Sequence, residues 1–342
     1  MNKKKIFLVA GGTGGHLFPA IALSKYNKNF DYHFILDFRT ETLALKNNLK
    51  YNRIVSSNLN LTLYLPISIL KIIFACIQSF IILVKHKPSL VVGFGGYTTV
   101  PTLLIAKILN IKIVLHEQNA IMGKANRFLS KFAKRVALTY KNTKFKTSNS
   151  VYTGIPIRRN EKKKIRKKYK TILIVGGSQG AKVFSTIIPK IIRGLNDKLK
   201  KNLYIIQQVR KNEKRNIENT YKKMNIRFEV KYFFNDIYNE YNKSDIIISR
   251  CGSSTLAEIE IFRIFSVLFP LPSAMDNHQY LNALEFRKNN QCIIADENNL
   301  NIINISKIIE KKISNTKKSN KMIEKKYDLS FYDLIGNSLK ND

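Results

Sequence analysis

Cysteine is scarce in this sequence: the 342 residues include only Cys76, Cys251 and Cys292, with no CxxC pair and no His/Cys ligand spacing. This excludes a disulfide-stapled scaffold and a structural zinc site, and it favours a reducing compartment. A long apolar segment is also missing near the N-terminus, where the apolar run at residues 6–10 is too short for a signal peptide. We therefore expect a cytoplasmic protein.

Acidic residues are few as well, with 23 Asp and Glu against 59 Lys and Arg and a formal net charge of +36. Such an excess favours anionic partners: nucleic acid, an acidic membrane face or a phosphorylated substrate. Lys, Asn and Ile are abundant along the whole chain, however, so a biased nucleotide composition of the coding sequence explains the excess equally well. A basic nucleic-acid-binding protein is one alternative. No nucleic-acid-binding module and no basic–aromatic stripe supports it, and we expect no nucleic acid partner.

Two Gly-rich segments lack the usual nucleotide-binding fingerprints. GGTGGH (11–16) would need a glycine at position 17 to match GxGxxG, and Leu17 stands there. GGSQGAK (176–182) fails the P-loop pattern, because Ala181 precedes its lysine and Val183 follows it. No DxD motif for a metal occurs either. A nicotinamide-dependent dehydrogenase and a P-loop ATPase are therefore disfavoured, and we expect neither a cofactor nor a metal.

The sequence does contain a regular alternation of short apolar runs and longer amphipathic segments, which is typical of βαβ units and parallel sheets. Ten runs are predicted strands: Ile6–Ala10, His33–Asp37, Leu90–Gly93, Lys112–Leu115, Val136–Thr139, Thr171–Val175, Leu203–Gln207, Phe228–Tyr232, Asp245–Ser249 and Ser266–Pro270. Gly11 and Gly176 each open a Gly-rich turn directly after such a strand. We predict an α/β protein of two doubly wound, Rossmann-like domains facing a cleft, residues 1–157 and 158–327, with the basic stretch 158–170 at the junction.

Glycines at a strand-to-helix turn let the backbone approach an anion, and the helix N-terminus favours negative charge. Two such loops in equivalent places therefore indicate phosphate contact, although tight turns alone would also explain the glycines. His16 follows the first loop, and histidine as a residue type titrates near neutral pH. It is a candidate general base, whereas a lone histidine is more often structural.

Residues 250–258 (RCGSSTLAE) follow another apolar strand and allow two interpretations. Thr255 and Glu258 have the S/T-x-x-E spacing of a capping box, which is a sufficient structural reason for both. In the functional interpretation, backbone N–H groups and hydroxyls surround a diphosphate, and the Glu258 carboxylate accepts hydrogen bonds from a ribose diol.

Seven segments occur together in one order: GGTGGHLFPA (11–20), GFGGYTTVP (93–101), HEQNAIMGKANR (116–127), TGIPIR (153–158), GGSQGAK (176–182), SRCGSSTLAE (249–258) and DNHQYLNA (276–283). Together they resemble the MurG family, whose members transfer N-acetylglucosamine (GlcNAc) from UDP-GlcNAc to lipid I (undecaprenyl-pyrophosphoryl-MurNAc-pentapeptide), forming lipid II for peptidoglycan. The resemblance implies a GT-B fold with an acceptor-side first domain and a UDP-GlcNAc-binding second domain. It also implies that a C-terminal helix, here about 328–342, packs back on the first domain.

The resemblance implies roles for individual residues. Contacts with the UDP-sugar fall on Arg158, Ser178, Phe234, Ser253, Ser254, Thr255, Leu256, Ala257, Glu258 and Gln279 in the second domain, and on Thr13, Gly14, Gly15 and Asn119 in the first. Phe234 acts through its backbone beside the uracil, and Glu258 takes the ribose hydroxyls. The family inverts the anomeric centre in one displacement, for which His16 is the candidate base and Glu117 the fallback. Backbone N–H groups, a helix N-terminus and Arg158 would stabilise the departing UDP.

The chain departs from the family pattern behind the expected donor site. Arg263 and Phe265 stand where the family usually has the glycine and proline of a Gly-x-Pro turn, and Ile155 replaces a common asparagine. These changes bear on the detailed geometry of the UDP-sugar site more than on the type of reaction. Another GT-B glycolipid glycosyltransferase and a UDP-GlcNAc epimerase are alternatives, because the acceptor is identified by resemblance alone.

Residues 63–84 are apolar except for Ser68, Lys71, Gln78 and Ser79, whose spacing puts them on one helical face. With Pro66 and a lysine inside, the segment is marginal as a membrane-spanning helix. One alternative is a helix buried in the first domain. The other, which we favour, is a helix lying in the bilayer interface of an anionic membrane, which makes the protein peripheral on the cytoplasmic face of the bacterial inner membrane.

Overall fold

The computed structural model describes residues 3–26, 28–55, 65–157, 168–177, 180–315 and 327–340. These residues form two compact units, the first comprising residues 3–157 and 327–340 and the second residues 168–315. Each unit is built on one parallel β-sheet. The C-terminal helix therefore belongs to the first unit, although the whole second unit precedes it in the chain.

The first unit alternates strands and helices. Its strands are β1 (Lys5–Val9), β2 (Asp31–Leu36), β3 (Tyr51–Arg53), β4 (Leu90–Gly93), β5 (Lys112–Glu117), β6 (Arg135–Leu138) and β7 (Ser150–Tyr152). Its helices are α1 (Gly14–Tyr26), α2 (Phe38–Lys46), α3 (Leu65–His86), α4 (Thr99–Ile108), α5 (Lys124–Leu129) and, at the C-terminus, α13 (Tyr327–Lys340). The described strands pair in the order β3-β2-β1-β4-β5-β6-β7.

Apolar side chains cover both faces of this sheet, because successive side chains of a strand point to opposite sides. Ile6 of β1 belongs to a buried cluster that includes Leu17 of α1 and Phe331 of α13. Phe7, its neighbour in the strand, belongs to a second cluster that includes Leu103 of α4. The continuous apolar run of β1 thus reflects burial on two sides, as is usual in parallel sheets.

The second unit repeats this plan with one strand fewer among the described residues. Its strands are β8 (Lys170–Val175), β9 (Leu203–Gln208), β10 (Arg227–Lys231), β11 (Ile246–Ser249), β12 (Phe265–Leu268) and β13 (Cys292–Ile294). Its helices are α6 (Phe184–Arg193), α7 (Asp197–Lys201), α8 (Lys214–Lys223), α9 (Ile237–Lys243), α10 (Ser253–Phe262), α11 (His278–Arg287) and α12 (Ile302–Ser314). The strand order is β10-β9-β8-β11-β12-β13.

Both sheets therefore share the 3-2-1-4-5-6 order of Rossmann folds, so the predicted α/β class with two Rossmann-like sheets is confirmed. Every one of the ten predicted strands is present. Three strands, β3, β7 and β13, were not predicted. All three are three-residue strands at a sheet edge with partly exposed side chains, and such strands have no buried apolar run for sequence patterning to detect.

Helix α3 presents its apolar side chains outward. Ser79 is buried and its hydroxyl lies 3.0 Å from the Thr102 hydroxyl of α4, and Ser68 is also buried, whereas Lys71 of the predicted polar face is exposed. The outward face consists of exposed apolar residues: Ile67, Ile69, Leu70, Ile73, Phe74, Ile77, Phe80, Ile81 and Val84. Leu70 is 66% exposed, and only 22% of the most apolar part of this helix is buried. The alternative of a helix buried in the first domain is therefore wrong.

Candidate active site

The Gly-rich loop of the first unit joins β1 to α1 and is fixed by a buried carboxylate. Asp37, which follows β2, accepts hydrogen bonds from the Gly12 N–H at 2.9 Å, the Thr98 hydroxyl at 2.9 Å and Arg39 Nε at 3.1 Å. Burial alone would raise the pKa of Asp37, but the hydrogen bonds from Arg39, Thr98 and Gly12 outweigh it and lower that pKa. A side chain at Gly11 would lie 1.9 Å from the Thr98 hydroxyl, so only glycine fits there.

His16, the candidate base, lies on the first turn of α1 and is half-buried. Its Nδ1 lies 3.0 Å from Oε1 of Gln118. The Nε2 amide of Gln118 lies 3.0 Å from both Nδ1 and the backbone oxygen of His116. His116 Nε2 in turn lies 3.0 Å from the Gly154 carbonyl oxygen. A continuous hydrogen-bonded chain therefore runs from His16 into the interior of the first unit.

Two glycines after β4 make room for the His16 ring. Gly95 and Gly96 have φ of +88° and +83°, a conformation that side chains disfavour. A Cβ at Gly95 would lie 3.3 Å from the His16 ring, and a Cβ at Gly96 would lie 3.0 Å from the Gly11 carbonyl oxygen. Gly96 therefore brings the loop after β4 onto the first Gly-rich loop. Sequence reasoning assigned these glycines no role, although their pairing directly after a strand was a usable signal.

Glu117, the fallback base, is buried at the end of β5 with both carboxylate oxygens occupied. Oε1 accepts from the backbone and side-chain N–H groups of Asn119, at 2.9 and 3.2 Å. Oε2 accepts from the Gly123 N–H at 3.0 Å and from Asn126 Nδ2 at 2.8 Å. Proton abstraction by Glu117 would disrupt this loop, so the arrangement favours His16 as the base.

The remaining first-unit residues of the predicted site lie beside His16 in the chain. The Thr13 N–H donates to the Gly11 carbonyl oxygen at 3.1 Å, and the Thr13 side chain is exposed. Gly14 and Gly15 begin α1, so their backbone N–H groups have no acceptor within that helix. This end of the helix is suited to an anion.

The Gly-rich loop of the second unit is held by an amide instead of a carboxylate. The Gly176 N–H donates to Oε1 of Gln208, the last residue of β9, at 3.1 Å. Gln208 Nε2 donates to the Tyr232 carbonyl oxygen at 3.3 Å, which fixes the orientation of the amide. Gly177 has φ of +84°, and a Cβ at Gly176 would lie 2.3 Å from the Ala181 nitrogen. Both glycines are therefore required by the turn itself.

Two predicted donor contacts, Arg158 and Ser178, lie outside the described residues. Phe234 follows β10, is buried and has the Lys231 ammonium 5.9 Å from its ring centroid. Leu256 is buried within α10, and Ala257 is half-buried. No group of three or more His, Cys, Asp or Glu side chains that could hold a metal occurs within the described part of the chain.

Helix α10 begins at Ser253, two residues before Thr255, and its N-cap Gly252 offers no side chain. The capping-box interpretation of Thr255 and Glu258 is therefore wrong. Glu258 is buried one turn into the helix, where its Oε2 accepts a hydrogen bond from the Tyr241 hydroxyl at 3.1 Å. The Ser254 hydroxyl is buried without a hydrogen-bond partner among the described residues. A ligand at the start of α10 would supply one.

Two side chains of α11 hold the loop that leads into α10. Gln279 Oε1 accepts from the backbone N–H groups of Cys251 and Leu271, both at 3.1 Å. Asn282 Nδ2 donates to the Cys251 carbonyl oxygen at 3.1 Å and to the Ser253 hydroxyl at 3.0 Å. The sequence predicts that Gln279 contacts the UDP-sugar, and in the structure its side chain is hydrogen-bonded to this loop. Asn282 was missed, although it lies in the same DNHQYLNA segment.

The departure at Arg263 has a visible consequence. Arg263 ends α10 in the left-handed conformation, with φ of 51° and ψ of 34°. Glycine adopts this conformation without steric cost, whereas a residue with a Cβ does not. Arg263 therefore adopts the backbone conformation that glycine favours, and it does so with backbone strain. Phe265 begins β12 and lies under the Lys312 ammonium, 5.0 Å from its ring centroid.

Sequence and structure comparisons point to one family. The glycosyltransferase family 28 N-terminal domain profile matches residues 6–138, and the corresponding C-terminal domain profile matches residues 171–337. The UDP-N-acetylglucosamine--N-acetylmuramyl-(pentapeptide) pyrophosphoryl-undecaprenol N-acetylglucosamine transferase of Rickettsia canadensis is 39% identical over 331 residues, covering 92% of each chain. The enzyme of the same name from Rickettsia bellii is 41% identical over 313 residues, covering 86% of this chain and 87% of that one. The crystal structure of Acinetobacter baumannii MurG matches with a TM-score of 0.75 at 27% identity, over 98% of this chain and 99% of the other.

Proposed function

Because the chain belongs to the MurG family of glycosyltransferases, with the GT-B fold, we propose that it transfers GlcNAc from UDP-GlcNAc to the muramyl 4-hydroxyl of lipid I and so forms lipid II for peptidoglycan. The observation that carries this function is the 39% identity, over 92% of the chain, to an enzyme named for that reaction. The alternatives, an epimerase or another glycolipid glycosyltransferase, have no comparable support in the named relatives.

In this function the second unit holds UDP at the start of α10. The unpartnered Ser254 hydroxyl and the backbone N–H groups of the first turn supply donors for the diphosphate. Glu258, one turn further on, takes the ribose hydroxyls, while the Tyr241 hydroxyl holds its carboxylate in place. Phe234 lines the uracil through its backbone. Gln279 and Asn282 keep the loop before α10 in position through their bonds to Cys251.

The first unit supplies the base. His16 accepts the proton of the muramyl 4-hydroxyl as the oxygen attacks the anomeric carbon and UDP leaves from the opposite face. A base with a pKa near neutral is suited to this step, and general base catalysis typically accelerates a reaction by about 10²–10⁴-fold. Thr13, Gly14, Gly15 and Asn119 complete the first-unit surface. Helix N-termini and backbone N–H groups stabilise the phosphate charge as it develops.

The reaction is tested by incubating the purified protein with labelled UDP-GlcNAc and a short-chain lipid I analogue in EDTA. We expect labelled disaccharide product at a substantial rate without added metal. UDP-GlcNAc binding without product would contradict the assignment of lipid I as acceptor. Loss of product in EDTA that a divalent cation restores would contradict the metal-free reaction.

The acceptor is a lipid, and we propose that α3 docks the protein peripherally on the cytoplasmic face of an anionic membrane. The outward side chains of α3 form an apolar surface, while Gln78 and Ser79 contact the domain. Lys71, Lys85 and Lys87 are exposed on or directly after this helix. Each basic residue near an anionic surface contributes about 1 kcal/mol, so the lysines and the apolar face act together.

Substitution of the outward face tests this docking. Ile73→Glu combined with Phe80→Glu should strongly reduce binding to vesicles containing anionic lipid, since both side chains are about half exposed, at 50% and 45%. Ile303→Glu in α12 is a matched control, because Ile303 is 69% exposed on the second unit. Unchanged vesicle binding by the double variant, or equal loss in the control, would contradict the proposal.

A further inference from the structure

The chain of hydrogen bonds behind His16 has only one arrangement of protons, and the Gln118 amide sets it. The Gln118 atom 3.0 Å from the His116 backbone oxygen must be the NH₂ group, because a carbonyl oxygen only accepts hydrogen bonds. With the amide in this orientation, the same NH₂ group donates to His116 Nδ1 at 3.0 Å. The amide oxygen of Gln118 therefore faces His16.

An amide oxygen accepts but does not donate, so His16 Nδ1 must carry the proton in the 3.0 Å contact with Gln118. In neutral histidine the other ring nitrogen, Nε2, then has the free lone pair. We propose that Gln118 and His116 are positioning residues that hold His16 in this tautomer, ready to accept a proton at Nε2. The proposal rests on the proposed role of His16 as the base.

His116 keeps the Gln118 amide from reversing. It is fully buried, and burial lowers the pKa of His116 to about 4, so the ring is neutral at physiological pH. Its Nε2–H donates to the Gly154 carbonyl oxygen, which leaves Nδ1 as an acceptor. Reversal of the amide would place the Gln118 oxygen against two acceptors of His116 at once. Each buried polar group left without a partner in this way opposes the reversal.

The C-terminal helix seals this support from water. Phe331 of α13 lies 4.9 Å from the His116 ring, centroid to centroid, and Phe94 lies 5.6 Å from it on the side of the sheet. Both phenylalanines are fully buried. Exclusion of water matters here, because a water molecule could satisfy either orientation of the amide and either tautomer of His16.

The hydrogen-bonded chain from His16 through Gln118 to His116 contains no carboxylate. An ionised carboxylate hydrogen-bonded to Nδ1 would stabilise the imidazolium and raise the pKa of His16. Gln118 and neutral His116 fix the same tautomer without a negative charge. The acceptor of the Nδ1 proton is therefore a neutral amide oxygen, and the free lone pair lies on Nε2.

Two variants of Gln118 test the proposal. Gln118→Met keeps the length of the side chain but removes the acceptor, and it should lower kcat by about 10²-fold, a typical general-base contribution, with UDP affinity unchanged. Gln118→Glu keeps an acceptor for Nδ1–H, so kcat should exceed that of Gln118→Met, but it should stay below the wild-type value because the second carboxylate oxygen faces two acceptors of His116. Its carboxylate raises the pKa of His16, so the loss of kcat on acidification should begin at a higher pH than in the wild type. If Gln118 had a purely structural role, the pH at which kcat falls on acidification would not change.

The tautomer itself is read from ¹⁵N NMR of the histidine rings, and it should be Nδ1–H for His16 in the wild type and mixed in Gln118→Met. A wild-type Nε2–H tautomer, or normal kcat in a folded Gln118→Met, overturns the proposal. His16→Ala distinguishes a failure of the base assignment from a failure of the positioning role. Near-normal turnover in His16→Ala overturns the base assignment on which the proposal rests, whereas loss of turnover there with normal kcat in Gln118→Met overturns the positioning role alone.

Discussion

The two Gly-rich loops occupy the same place in their sheets but are held by different chemistry. Each loop follows the third strand in the order of its sheet, β1 or β8, and each is fixed by a side chain at the end of the neighbouring strand. In the first unit the Gly12 N–H donates to the carboxylate of Asp37 at 2.9 Å. In the second the Gly176 N–H donates to the amide of Gln208 at 3.1 Å.

A carboxylate and an amide serve a backbone N–H equally well, but they act differently on a ligand. Two unit charges 4 Å apart interact by about 4 kcal/mol at an effective dielectric constant of 20, so a carboxylate repels a nearby phosphate strongly. Arg39 offsets part of the charge of Asp37, whereas Gln208 has no charge to offset. We therefore expect the diphosphate at the start of α10, near the second loop, because β8 and β11 are neighbouring strands; the first loop mainly supports His16. A similar glycine pattern does not imply a similar ligand.

The largest expected effect comes from Glu258→Ala, which tests whether the nucleotide belongs to the second unit. Hydrogen bonds to a charged group contribute about 1.5–3 kcal/mol, so UDP affinity should fall by about 10- to 150-fold. Isothermal titration of UDP measures the change. Glu260→Ala in the same helix is the matched control, since no nucleotide contact is assigned to it. An unchanged dissociation constant in Glu258→Ala would remove its ribose role.

A smaller loss of UDP affinity is expected when both loops are held by a carboxylate. Gln208→Glu keeps an oxygen for the Gly176 N–H but brings a carboxylate to the second loop. Solvent and ionic screening reduce the full Coulomb repulsion, and we expect UDP affinity to fall by about tenfold. Asp37→Asn, the reciprocal change, should leave UDP affinity unchanged. Equal affinity in Gln208→Glu and wild type would place the diphosphate away from this loop.

The same comparison predicts a pH dependence confined to the first loop. The pKa of Asp37 is lowered in the folded state, so its contribution to stability is present above the unfolded-state pKa of about 4 and disappears as the pH falls through the lower folded-state pKa. We expect about 1–2 kcal/mol near neutral pH, because Arg39 is 40% exposed and its ion pair is screened.

Urea unfolding of wild type and Asp37→Asn at several pH values measures this contribution. The difference in unfolding free energy between the two proteins should narrow as the pH is lowered from about 6 to about 3. Gln208→Leu is the control, since a neutral amide gives no such narrowing. A difference that stays constant with pH would show that the Asp37 carboxylate does not stabilise the loop through its charge.

Much of the fold was predictable because burial on both faces gives parallel strands continuous apolar runs. The three-residue edge strands were not predictable, since β3, β7 and β13 pair on one side only and keep side chains in solvent. For α3, the sequence shows which residues share the polar face. Its periodicity does not show that Ser79 is buried against Thr102 of α4 while Lys71 stays exposed.

The candidate site divides in the same way. The Gly-rich loops and His16 are visible as local patterns, because each is a short motif at a strand end. The support of His16 is not local: Gln118 lies on another strand end, and Gly154 lies later still. Likewise, Thr255 and Glu258 have the spacing of a capping box, yet α10 begins at Ser253, after a loop that is hydrogen-bonded to Gln279 and Asn282 of α11.

The smallest expected effect concerns the ends of the helices that follow β4 and β11. A residue with positive φ follows each of these helices. In the first unit Asn110, the second residue after α4, has φ of 57°, and in the second unit Arg263, directly after α10, has φ of 51°. Asparagine tolerates the left-handed region better than arginine does. The first unit therefore makes this turn with less strain.

Arg263→Gly should stabilise the second unit by about 0.5–1 kcal/mol. Relief of the left-handed strain contributes about 1–2 kcal/mol, and the greater freedom of glycine in the unfolded chain opposes it by about 0.4–1 kcal/mol. Arg263→Ala is the control, because it removes the exposed side chain but keeps the Cβ that causes the strain. Urea midpoints compare the two variants. If Arg263→Ala were as stable as Arg263→Gly, the strain would not lie in the backbone, and the two helix ends would be energetically equivalent.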